Sequence, residues 1–195
     1  PELIWLLEHP PLYTGGTGAK DEDLLNLSAL PVYRTGRGGQ FTYHGPGQLV
    51  GYPILPLGKV STDKKLPDAD YVGYVRKLEK MLIVAMAQFG IVTGQRSGLT
   101  GVWIQANVHS RCPRCKPEDK KKPAKLAAIG VKVDVHGISR HGFALNVNPD
   151  MEYWDGIIAC GLSEPIVSLA DLLYPVPSME DVKEKIKSAF REVFE

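Results

Sequence analysis

The chain has 195 residues and a formal net charge of +1, with 23% charged residues, enough for one domain with a real core. That balance argues against a bulk electrostatic binder of nucleic acid, and no apolar run approaches the roughly 18 residues a bilayer span needs. Three cysteines are too few, and odd in number, for a secreted disulfide scaffold, so a reducing compartment is expected.

In chain order, Leu3 to Leu7 reads as a short buried strand stopped by Glu8-His9-Pro10-Pro11, because proline lacks the amide a ladder needs. No signal peptide is visible, and because the chain begins at Pro1 and runs at once into this strand, a natural N-terminal segment is expected to precede it. Thr14 to Gly18 reads as a glycine-rich loop, and Val32 to Arg34 as a second short strand. Gly36 to Gly47 holds five glycines, and Leu49 to Leu55 is a strand closed by Pro56. Asp68 to Phe89 predicts a helix, with Tyr71, Tyr74, Val75, Leu78, Met81, Leu82, Ala85, Met86 and Phe89 on one face, Asp68 as cap and Gly90 as stop.

Gly101 to Gln105 predicts a strand. A Lys-rich insertion follows at about 108–124, and Arg111 to Lys125 holds seven cationic residues against Glu118 and Asp119. Such a run is most simply a solvated loop. Leu126 to Val135 is strand-like with a turn at Gly130, and Gly142 to Val147 is another strand. Ser178 to Glu195 is an amphipathic helix whose Ser178 and Asp181 make a capping-box-like start. Short strands with two long helices give a mixed α/β or α+β single domain over residues 1–195, without internal repeats.

Three segments could carry chemistry. Arg37 to Gln48 combines Arg37 and His44 with glycines that let a ligand approach the backbone; a tight hairpin would use the same glycines for turns alone. Cys160 follows an apolar run and precedes Gly161. By itself such a cysteine is usually a buried small hydrophobe. As a nucleophile it would need a nearby cation to favour the thiolate, and His44, His141, Lys125 and Lys132 stay open for that role. His109, Cys112 and Cys115 supply three zinc-type ligands where a structural site normally has four.

The order of the motifs resembles the lipoyl(octanoyl) transferase family. The matching blocks are Leu7 to Thr14, Arg37 to Gln48, Lys125 to Gly130, His141 to Val147 and Ala159 to Leu162. The resemblance implies the α/β fold shared with biotin protein ligases and lipoate-protein ligases. It implies that Cys160 takes the octanoyl group as a thioester and that Lys125 lowers the pKa of that cysteine and moves protons. It implies that Arg37, Gly38, Gly39, Gln40, Phe41, Thr42, Tyr43 and His44, with Ala128, Ile129, Gly130, Gly142, Phe143 and Ala144, line the acyl pocket. No cofactor or metal is implied. The donor would be octanoyl-acyl carrier protein. The acceptors would be lipoyl domains of 2-oxoacid dehydrogenases and the glycine cleavage H protein, and the enzyme a monomer that binds neither nucleic acid nor membrane.

Two features depart from the family pattern: Ala159 stands where proline is frequent before the nucleophile, and the 111–123 segment is longer and more cationic. The insertion tilts the expected compartment toward mitochondria, with bacterial cytoplasm as the alternative, and it could steer an acidic carrier protein electrostatically. A lipoate or biotin ligase that activates its acid with ATP is the runner-up, one that would need no cysteine nucleophile. A zinc-binding interaction module built on His109, Cys112 and Cys115 is a third reading.

Overall fold

A computed structural model of the chain describes residues 3–26, 30–58, 69–109, 112, 115–159 and 164–195. Nine strands are defined among them: β1 (Leu3–Leu7), β2 (Leu12–Gly15), β3 (Val32–Arg34), β4 (Phe41–His44), β5 (Gln48–Ile54), β6 (Gly94–Arg96), β7 (Leu99–Ile104), β8 (Ala124–Val133) and β9 (Ser139–Asn146). Three α-helices accompany them: α1 (Tyr71–Ala87), the short α2 (Ala106–His109) and α3 (Met179–Phe194).

Six strands form one antiparallel sheet in the order β1-β5-β9-β8-β7-β6. The remaining three form a small sheet, β3-β2-β4. Strand residues alternate between faces, and this sorts the large sheet. Leu49, Leu126 and Leu145 join Leu78, Met81 and Leu82 of α1 and Val182, Ile186 and Phe190 of α3 in the main core. Val50 and Ala144, one step along their strands, line a cavity instead. The small sheet has its own cluster, in which Tyr13, Phe41, Tyr43 and Ile157 are buried.

Helix α1 begins later than its sequence pattern suggests. Its cap is Asp70, whose Oδ1 accepts the Gly73 amide at 2.7 Å; Asp68 lies outside the described residues. The apolar face is as expected, but Glu79 is fully buried on it, a position no polarity pattern would give to a carboxylate. In α3, Ser178 Oγ accepts the Asp181 amide at 3.1 Å, the cap read from the sequence.

The turn expected at Gly130 is absent. Strand β8 runs unbroken from Ala124 to Val133, with Gly130 paired to Gly142 of β9. A long partner strand satisfies every ladder position there and overrides glycine's local turn preference. The loop expected over Thr14 to Gly18 likewise begins inside β2.

One irregularity lies where β7 meets β8. Val102 pairs with Ala127, but Trp103 pairs with Lys125, so the register shifts between them. Gly101 precedes the shift at φ +129, and a Cβ there would stand 2.7 Å from the Ala127 carbonyl oxygen. Only glycine meets both conditions. The buried Glu79 accounts for itself here: its Oε1 accepts the Gly101 amide at 3.0 Å, and its Oε2 accepts from Arg76 Nη1 at 2.7 Å.

Within the insertion, Cys112 and Cys115 are paired as a disulfide. It closes a loop of only two intervening residues, so it staples no distant elements. Disulfide sulfurs are not the thiolates a zinc site requires; the His109 side chain lies outside what the structure describes.

Candidate active site

The cavity between the two sheets is about 260 Å³, slim beside the roughly 300–1,000 Å³ usual for small-molecule sites. Its large-sheet wall carries Val50, Tyr52, Ala128, Ile129, Gly130, Gly142, Phe143 and Ala144; its small-sheet side carries Leu12, Thr14, Phe41, Thr42 and His44. Arg37, Gly39 and Gln40 also line it. Small, aliphatic and aromatic side chains make up most of the lining, and Arg37, His9, His44 and His141 add polar groups to it.

Two residues expected in the pocket do not line it. Tyr43 alternates away from Thr42 and His44 on β4 and packs in the aromatic cluster, stacked on Tyr153 with ring centroids 5.3 Å apart. Its burial there, with Asp150 nearby, pushes the phenol up to about 12. Gly38 is taken up by structure: its amide donates to the Val131 carbonyl at 2.9 Å.

Polar groups at the cavity form one directed chain. Arg37 Nη2 donates to Thr14 Oγ1 at 2.8 Å, and Thr14 Oγ1 lies 3.2 Å from His44 Nε2. His44 Nδ1 lies 2.8 Å from Gln48 Oε1, and Gln48 Nε2 donates to Asn146 Oδ1 at 3.0 Å. Asn146 Nδ2 then donates to the Val167 carbonyl at 3.2 Å. This order fits a neutral His44 that donates from Nδ1 and accepts at Nε2. Burial lowers the His44 pKa to about 4, the Gln48 hydrogen bond opposes the shift, and the nearby His9, Arg37 and His141 deepen it. His9, hydrogen-bonded to the Tyr52 hydroxyl at 2.7 Å, is also lowered by burial. His141 is lowered by burial and by Arg37 and Lys132.

A second, narrow chamber is lined by Thr42, Trp103, Lys125, Ala128, Trp154, Ala159, Glu164 and Ile166. It encloses only about 10 Å³ and shares Thr42 and Ala128 with the apolar cavity. Lys125 is buried at 7% exposure. Its amide donates to the Pro165 carbonyl at 2.8 Å, and its carbonyl accepts the Val167 amide at 3.0 Å. The segment downstream of residue 163 is therefore stitched to the Lys125 backbone. Cys160 lies outside the described residues, but Ala159 and Glu164 on either side of the 160–163 stretch both line the Lys125 chamber.

Of the four cations considered for Cys160, only Lys125 lines this chamber. His44 and His141 line the apolar cavity. Lys132 sits seven residues along β8, opposite Arg140, with its amine against Gly36.

The sequence pattern of the lipoyl protein ligase A/B catalytic domain matches residues 1–191. The chain belongs to that family. Relatives in it include an octanoyltransferase of Hyphomonas neptunium, 42% identical over 197 residues that span 100% of this chain and 77% of the relative. An octanoyltransferase of Paramagnetospirillum magneticum is 43% identical over 195 residues, 100% of this chain and 82% of the relative. With such relatives, this lipoyl protein ligase A/B family member is an acyltransferase. Its mixed α/β fold is that of a bipartite lipoate protein ligase of Thermoplasma acidophilum (TM-score 0.73, 15% identity, 98% of this chain and 71% of that one). A lipoate-protein ligase A solved with ATP is similar in the same degree (TM-score 0.69, 15% identity, 98% and 72%).

Several site residues have no chemical signal of their own in the sequence. His9, Thr14, Gln48 and Asn146 stand inside the matching motif blocks, and that was their only signal. Trp103, Val50 and Tyr52 read simply as strand residues.

Proposed function

We propose that the protein moves an octanoyl group from octanoyl-acyl carrier protein to a lysine of lipoyl domains, through a thioester on Cys160. The carrying observation is the Lys125 chamber: Ala159 and Glu164, on the two sides of the 160–163 stretch, line it, and it shares Thr42 and Ala128 with an apolar cavity. The relatives' name, octanoyltransferase, supports the acyl group.

In the first half-reaction the Cys160 thiolate attacks the donor's thioester carbonyl. The carrier thiolate leaves and takes a proton from Lys125. In the second, an acceptor lysine amine attacks the Cys160 thioester, gives up a proton to Lys125, and Cys160 departs as thiolate. Backbone amides beside Gly130 or Gly161 would serve the oxyanion. The sequence of steps is ping-pong and balanced, with no nucleotide consumed.

The Lys-rich insertion borders this chamber: Cys115, Lys116 and Asp119 share a surface hollow with Ala159 and Glu164. That placement supports its service as the landing site of an acidic carrier protein. The named relatives are bacterial; they agree with bacterial cytoplasm and give the mitochondrial expectation no support.

Intact mass after mixing with octanoyl-carrier protein tests the reading. The expected gain is one octanoyl group, absent in Cys160→Ser and removed by hydroxylamine. The fold likeness to an ATP-bound ligase keeps a second reading in play. Strict dependence on ATP and magnesium, with no acyl group on Cys160, would establish that ligase reading instead.

A further inference from the structure

Trp103 is 1% exposed, yet its indole Nε1 has no hydrogen-bond partner among the described residues. Burying that donor unpaired is unfavourable, and a purely apolar side chain would fill the same space without the cost. What the ring offers in return is its face. Lys125 Nζ lies over it at 4.7 Å from the centroid, and the Arg96 guanidinium lies over it at 4.8 Å. Both distances are within the range of cation–π attraction.

Strand order explains the arrangement. Lys125 on β8 pairs with Trp103 on β7, and Gly94 on β6 pairs with Trp103 from the other side. Arg96 lies beyond a register irregularity, pairs with Leu99, and still lays its guanidinium over the Trp103 ring. The indole thus stands between two cations, one from each neighbouring strand. Arg96 Nη1 lies 3.1 Å from Glu164 Oε1, an ion-pair distance between partly buried side chains without hydrogen-bond alignment. Glu164 lines the chamber beside Lys125. The register shift that sets Trp103 opposite Lys125 is held from behind by Glu79 through the Gly101 amide.

We propose that Trp103, steadied by Arg96 and Glu164, is the positioning residue that fixes the Lys125 amine toward the acylation chamber. A lysine side chain has four rotatable bonds, and the ring face gives its amine a fixed contact, 4.7 Å from the centroid. Trp103 touches no reacting atom in this scheme; it acts through Lys125. The proposal rests on the reading that Lys125 serves Cys160.

The test measures the rate of Cys160 alkylation by iodoacetamide against pH, followed by peptide mass so that Cys112 and Cys115 do not interfere. The variants are Trp103→Leu, Trp103→Phe, Glu164→Gln and Lys125→Met. If Lys125 favours the thiolate, Lys125→Met moves the midpoint to higher pH; no movement overturns the underlying reading of Lys125, and this proposal with it. Given that movement, Trp103→Leu should move the midpoint in the same direction by about one pH unit, the size of a desolvated cation–π contact. Trp103→Phe, which keeps a ring face, should move it by less. If Trp103→Leu is folded and its midpoint stays with the wild type while Lys125→Met moves, the positioning role is wrong although the dyad stands. Should Trp103→Leu fail to fold, Glu164→Gln, altered at a partly exposed side chain, carries the test: loss of the carboxylate's own charge would lower the midpoint, so a shift to higher pH supports the proposal and an unchanged or lowered midpoint overturns it.

Discussion

Asn146→Leu is the substitution from which the directed hydrogen-bond chain can be weighed. Gln48 is fully buried and Asn146 is 3% exposed. Asn146 accepts from Gln48 Nε2 at 3.0 Å and donates to the Val167 carbonyl at 3.2 Å. Leucine matches the shape of asparagine closely enough to avoid a cavity but leaves one Gln48 N–H and the Val167 carbonyl without these partners. Each buried orphan costs about 1–3 kcal/mol. Burial of the new apolar atoms returns roughly 1 kcal/mol, so the net loss should be about 1–5 kcal/mol. In a protein of this length, that lowers Tm by roughly 2–20 °C. Urea unfolding gives the free energy directly, with the m-value unchanged if the unfolded state is unaffected. Because Gln48→Met removes the orphaned donor, the double variant should be milder than the sum of the singles by about 1–2 kcal/mol. A loss under 0.5 kcal/mol for Asn146→Leu, or strict additivity in the double variant, would refute the claim that these groups act as one network.

Four further outcomes follow from the same geometry. His44 has a folded-state pKa of about 4 against 6.5 unfolded, so the unfolded chain binds more protons between those values; stability should be complete above pH 6.5 and fall by up to about 3 kcal/mol as pH drops toward 4, a slope that His44→Gln should flatten in denaturant titrations at several pH values. Gly101→Ala should destabilise by at least ~1–3 kcal/mol, because it forces a side chain into a positive-φ site against the Ala127 carbonyl, and an unaltered unfolding midpoint would contradict this. Converting Lys120, Lys121 and Lys122 to Gln should raise the KM for carrier protein several-fold at low salt and much less at 0.15 M, where screening acts within ~8 Å; an unchanged KM at low salt would remove the insertion from carrier binding. Lys125→Ala should slow single-turnover acylation by at least ~100-fold while Lys132→Ala leaves it at the wild-type rate, and equal rates in the two would cancel the assigned role.

The elements that sequence made legible are those whose signal is local. The apolar face of α1, the Ser178 cap and the strands around Val102 and Leu145 follow from spacing and capping chemistry within a few residues. What was hidden depends on pairing across long separations. Glu79 looks like a misplaced charge until Gly101, 22 residues on, is seen to need its oxygen. Gly130 resembles a turn until β9 supplies a partner. Tyr43 shares a motif with Thr42 and His44 but alternates into a different layer. Trp103 has no distinguishing neighbours in sequence, and only the register shift in β7 brings Lys125 to its ring.

The two walls of the apolar cavity are of unequal robustness. Among the described residues, the floor sheet shares a cluster of 23 buried side chains with α1 and α3, whereas the small sheet overhead has a cluster of four. Local opening free energy follows buried contact, so the roof should breathe at far lower cost than the floor. A flexible acyl chain would then enter by transient lifting of β2 and β4, with no permanent mouth required. Amide protons of Tyr13 and Tyr43 should accordingly exchange with solvent well before those of Leu126 and Leu145, and an acyl group in the cavity should slow the first pair selectively.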